Sequence, residues 1–122
     1  MKSHIQHFQD SNEYFFKEGC FINELSNLPE DPELSIAQAR VESGVTTQWH
    51  QLRETTERYV IMEGSGVVEI GDYPPQKVTP GDVVFIPPNT RQRITNTGSQ
   101  DLLFLALCTP RFVADNYQID LT

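Results

Sequence analysis

Histidine is scarce in this chain: of three, two lie within the first seven residues, and His50 alone falls in the body of the sequence. A site built from several imidazoles would have to borrow from the N-terminal tail. Basic residues are few as well. Nine Lys and Arg against seventeen Asp and Glu leave a net charge of −8, and no basic cluster offsets it. Such a surface repels phosphate backbones and anionic lipid alike, which argues against nucleic acid and membranes as partners. No run of about eighteen apolar residues occurs, and the opening MKSHIQHFQD lacks the apolar core and cleavage signal of a leader. A cytoplasmic protein is the expectation. The two cysteines, Cys20 and Cys108, lie far apart and are expected to remain reduced thiols.

Missing too is any persuasive helical period before the last dozen residues. Short strand-like runs take its place, punctuated by turn signals about every ten residues. Residues 34–41, 45–52, 57–63, 67–70, 76–78, 83–86, 91–95 and 102–108 read as strands, and Cys20 to Leu25 is a further candidate. Between them fall Glu42-Ser43-Gly44, Gly64-Ser65-Gly66, Pro80-Gly81-Asp82, Pro87-Pro88-Asn89 and Asn96-Thr97-Gly98. Evenly spaced strands without crossover helices predict an antiparallel sandwich or barrel, of which the jelly roll is one form. At 122 residues the chain suits one domain with one core.

Two stretches carry the chemistry. GVTTQWHQLRETTERYVIMEG, from Gly44 to Gly64, holds His50 and Glu57, and GDVVFIPPNTRQRITN runs from Gly81 to Asn96. The pair resembles the two motifs of the cupin superfamily. Gly44, His50, Glu57 and Gly64 fall in the spacing of the first motif, and Gly81, Pro87 and Asn96 in that of the second. The resemblance covers about Leu34 to Pro110 and is closest to small single-domain cupins, often described loosely as similar to mannose-6-phosphate isomerase. It implies an all-β double-stranded β-helix, a jelly-roll barrel over residues 34–110. Residues 1–33 would form an N-terminal extension packed on the barrel, and 111–122 a C-terminal tail.

The departures from the motifs bear on the site. Leu52 stands where the family has a second histidine, Gln92 where the second motif has its histidine, and Asn89 where it has a glycine. Carried over by position, the family's metal site is reduced to His50, Glu57 and Gln92. The resemblance implies one divalent ion there, Zn, Fe, Mn or Ni, although an amide oxygen is a weak donor and Leu52 is an apolar wall. The residues leave a second reading open, in which the same three side chains form a hydrogen-bonded polar cluster.

Function divides in the same way. One reading is a metal-assisted isomerase or cyclase in which His50 or Glu57, the best catalytic candidates, moves a proton. The other is a binding module that holds a small polar or carbohydrate-like ligand without turning it over. Gln48, His50, Tyr59 and Gln92 are the candidate ligand contacts, with Arg40 a further one for an anionic group. Strand parity puts Gln48, His50 and Leu52 on one face and Glu57, Tyr59 and Ile61 on another, both expected to line the lumen. Arg91, Arg93 and Trp49 fall on the opposite faces. Val60 and Met62 leave the strand apolar on its outer side as well, and a strand apolar on both sides is covered on both. A homodimer is the expectation.

Overall fold

The computed structural model describes residues 1–120. Among these residues eleven strands form two sheets: β1 (Tyr14–Phe16), β2 (Cys20–Ser26), β3 (Ser35–Val41), β4 (His50–Leu52), β5 (Thr56–Glu63), β6 (Gly66–Ile70), β7 (Gln76–Val78), β8 (Val83–Ile86), β9 (Gln92–Asn96), β10 (Leu102–Thr109) and β11 (Tyr117–Ile119). One sheet has the order β1-β2-β3-β10-β5-β8 and the other β11-β4-β9-β6-β7, with every pairing antiparallel. The double-stranded β-helix of the sequence reading is the observed fold.

Alternation builds the core. Along β10, Leu102, Phe104, Ala106 and Cys108 are buried while Leu103, Leu105 and Leu107 are only half-buried. Val41, Ile61, Ile86, Ile94 and Leu102 are among the most deeply enclosed side chains, drawn from both sheets. Asn96, expected from the second motif, serves this frame. Its Nδ2 donates to the carbonyls of Val41 and Gln100 at 2.8 Å each, and its Oδ1 accepts the N–H of Gly98 at 2.9 Å. One buried amide thus fastens the β9–β10 turn to β3.

Most predicted strands appear within a residue or two of their expected ends, but 45–52 does not. Only His50–Leu52 is strand, preceded by an isolated bridge between Thr46 and Thr95. The cause lies in competing hydrogen bonds. The Thr47 hydroxyl accepts the Ile94 N–H at 3.0 Å, and the Gln48 N–H donates to the carbonyl of Glu18 at 2.8 Å, outside the ladder. The two ends of the described chain join the sheets: β1 and β2 extend one beyond β3, and β11 pairs along β4 at the edge of the other.

Two turn positions explain motif residues. Asn89, which replaces the family's glycine, has φ 60°, a left-handed conformation that asparagine tolerates better than most residues. Its Oδ1 accepts the N–H of Glu54 at 3.2 Å. Gly64 has φ +87°, and a Cβ there would lie 2.8 Å from the Asp101 carbonyl oxygen and 3.0 Å from the Leu102 Cα. Conformation and space both demand glycine. Gly64→Ala is therefore expected to cost about 2–4 kcal/mol, the sum of an unfavourable backbone and a backbone clash, read as a lowered urea midpoint at unchanged slope.

Candidate functional site

A cavity of about 60 Å³ opens between the sheets at the end closed by the terminal strands. Its wall includes His50 and Leu52 of β4, Glu57 of β5, Ala106 and Cys108 of β10, and Phe16, Glu18, Phe112 and Tyr117 from the segments flanking the barrel. Two polar groupings meet here.

The first is centred on His50, which is buried. Its Nδ1 lies 2.7 Å from the Gln48 carbonyl oxygen and its Nε2 lies 2.9 Å from Glu18 Oε2. Both partners offer acceptor oxygens, an arrangement that favours the doubly protonated ring. Burial alone would push the His50 pKa down, but the charge and hydrogen bond of Glu18, aided by the Gln48 carbonyl, raise it above its ordinary value. The Tyr117 ring stacks on the imidazole with centroids 5.5 Å apart.

The second grouping runs from Glu57 back into the core. Gln92 Nε2 donates to Glu57 Oε1 at 2.7 Å, and the Tyr59 hydroxyl donates to Gln92 Oε1. Desolvation raises the Glu57 pKa to about 7; the His50 charge and the Gln92 hydrogen bond oppose it, and Glu18 adds to it. A carboxyl so placed holds its proton part of the time at neutral pH.

The sequence candidates distribute as follows. His50 and Glu57 reach the cavity, while Tyr59 and Gln92 stand behind Glu57 as its support. Gln48 is not on a strand and its side chain is exposed; its backbone alone serves the site, accepting from His50 and donating to Glu18. Arg40 does not reach the cavity. It lies on the outer face, donating to Glu13 at 2.7 Å and to Asp101 at 3.3 Å with its guanidinium over the Phe21 ring. The expected exterior set Trp49, Arg91 and Arg93 forms a stack, both guanidinium groups lying over the indole at 4.3 and 4.4 Å.

The metal set does not assemble as the motifs implied. Gln92 has committed its oxygen to Tyr59 and its nitrogen to Glu57, and His50 faces Glu18 rather than Glu57. Leu52 adds an apolar wall. Among the described residues no three His, Cys, Asp or Glu side chains converge as metal ligands do. The donors present do not fit a metal centre.

Glu18 and Tyr117 were invisible to motif reading, because both lie outside the residues with family spacing. Glu18 carries one signal, its place before Gly19, which has φ 103° and turns the chain from β1 into β2. Nothing in the sequence says what that carboxylate faces.

The family model described as a cupin domain matches residues 38–108. The chain belongs to the cupin family. An uncharacterised relative, MJ1618 of Methanocaldococcus jannaschii, is 32% identical over 108 residues, 87% of this cupin and 86% of the relative. Among solved structures, KdgF from Halomonas sp. superposes with a TM-score of 0.74 at 19% identity, covering 86% of this chain and 94% of KdgF. Pac13, described as a nucleoside dehydratase and also solved as a Streptomyces protein with uridine, gives 0.76 at 18% identity, covering 93% of this chain and 89% of Pac13.

The His50–Glu18 pair makes a direct prediction. In Glu18→Gln the burial of His50 persists while the charge that overrides it is gone, so its pKa should fall below the ordinary 6.5 rather than stand above it. Imidazole NMR titration reads this.

Proposed function

We propose that this cupin is a small-molecule enzyme that moves protons between side chains and ligand without a resident metal. The observation that carries the reading is the pairing of two unlike acid–base groups in one cavity. The His50 imidazolium is fixed by Glu18 as a proton donor, and Glu57, with its pKa about 7, can take or give a proton near neutrality. A ligand that takes the place of Glu18 at His50 Nε2 could gain a proton there while losing one at another atom to Glu57, the exchange that isomerisation and elimination of water both need. The name of one structural neighbour, a nucleoside dehydratase, supports chemistry of this class.

The test is product formation, followed by NMR, from a panel of small polar molecules after exhaustive chelation. Turnover is expected to survive chelation and to fall about 10²–10⁴-fold in Glu57→Gln. Turnover that appears only when a divalent metal is restored sinks the metal-independent reading, and saturable binding with no turnover makes the barrel a binding module.

Stability gives a second check. The Glu57 carboxyl binds its proton more tightly folded than unfolded, so the native state holds more protons between pH 4.5 and about 7, and stability falls as pH rises through that window. The raised His50 pKa works in the same direction, its contribution full below 6.5 and lost as pH climbs through the folded value. The Glu57 share is about 3 kcal/mol. Urea midpoints should drop from pH 5 to pH 8, and Glu57→Gln should remove most of the drop below neutrality.

We also infer that a second copy covers the outer side of β5 and β8. Val60 sits across from Val83 on that face, and Met62, Val83 and Phe85 are 51%, 48% and 68% exposed. On a chain of charge −8, these four uncharged side chains form a place where two copies can meet without juxtaposing carboxylates. Light scattering should give twice 13.9 kDa, and Phe85→Glu should yield monomer; a monomeric wild type rejects the pairing.

A further inference from the structure

The cavity walls differ in kind from those of a site for phosphates or carboxylic acids. Among the described residues, the charged groups lining it beside His50 are Glu18, Glu24 and Glu57, with no Lys or Arg. The single positive charge, on His50, is matched by Glu18 at 2.9 Å. An anion entering here would meet a wall with more carboxylates than cations, the neighbouring Lys17 ammonium being engaged over the Tyr117 ring.

The remaining wall is aromatic. Tyr14, Phe16, Tyr117 and Phe112 meet edge to face in sequence, with centroid separations of 6.3, 4.9 and 6.3 Å. Ring faces are negative and attract ammonium groups. The chain supplies its own instance, since the Lys17 Nζ lies 4.8 Å from the Tyr117 centroid and 5.9 Å from that of Phe16. Tyr117 adds a second observation. Its hydroxyl is closed off from water and has no hydrogen-bond partner among the described residues. Buried hydroxyls are nearly always bonded, so a ring that lines the cavity carries hydrogen-bonding capacity left unused.

We propose that the cavity binds a small organic cation, a primary amine or amino alcohol, whose ammonium group is held by the aromatic wall and the carboxylates of Glu18, Glu24 and Glu57. The proposal rests on the cavity being the ligand site. A volume of about 60 Å³ suits a molecule of this size. The rings select the charge, the carboxylates neutralise it, and the carbon next to the nitrogen is left near the proton-moving pair.

The full chain, titrated near neutral pH with ethanolammonium, ethylene glycol and glycolate, compares cationic, neutral and anionic molecules of similar size. NMR signals of His50, Glu57 and Tyr117 report occupancy. Ethanolammonium is expected to bind about tenfold or more tightly than ethylene glycol, with glycolate leaving the signals unmoved, and Tyr117→Leu should weaken the cation about tenfold. Should Tyr117→Leu unfold, Phe16→Leu gives the same readout on the neighbouring ring. Glycolate binding as tightly as ethanolammonium overturns the charge assignment and leaves the cavity as a ligand site. Silence from all three molecules overturns the cavity reading as well.

Discussion

Polar groups placed inside a barrel this narrow need partners, and that requirement, met by all the buried side chains described except the Tyr117 hydroxyl, organises the molecule. His50 has two acceptors for its two ring nitrogens, Gln48 through its carbonyl and Glu18 through its carboxylate. Gln92 divides its amide between Glu57 and Tyr59. An unmatched charge in such surroundings costs several kcal/mol, so the terminal segment that delivers Glu18 is tied to the fold as firmly as the barrel strands. The matching also sets the chemistry: satisfied on one side and desolvated on the other, Glu57 keeps a pKa where a proton can move either way.

The barrel was legible because its signals are local. Turn glycines and prolines separate runs that alternate between buried and half-buried, and Gln76–Val78 and Val83–Ile86 could be read to the residue. The motif spacing brought His50 and Glu57 to one cavity. What was not legible depends on partners distant in sequence. Gln48 looks like a strand residue until the Glu18 carbonyl takes its N–H, and Gln92 looks like a ligand until its two amide ends are seen to be engaged. Arg40 required knowledge of where Glu13 lies, 27 residues away in sequence. A carboxylate before a turn, such as Glu18, has no pattern that names its partner.

The distribution of basic residues follows one rule. Arg40 is bound to Glu13 and Asp101, Arg93 donates to Glu69 at 2.5 Å, and Arg91 joins Arg93 over Trp49, all on outer faces. With these guanidinium groups engaged outside, the charged groups described along the cavity are three carboxylates and one imidazole. The polarity of the cavity therefore reflects where the arginines are retained as much as where the glutamates are placed.

Glu18 and Tyr117 both come from outside the stretch that carries the family pattern, while Glu57, Gln92 and Tyr59 come from within it. The site is thus divided into an inner cluster of carboxyl, amide and hydroxyl groups and a rim of flanking chain. Substitutions in the flanks can retune what is admitted while the strands that shape Glu57 stay as they are. A barrel of this kind given other flanks would keep the Glu57 cluster and change the rim, so grafting flanks onto these strands is a practical way of altering what the cavity admits.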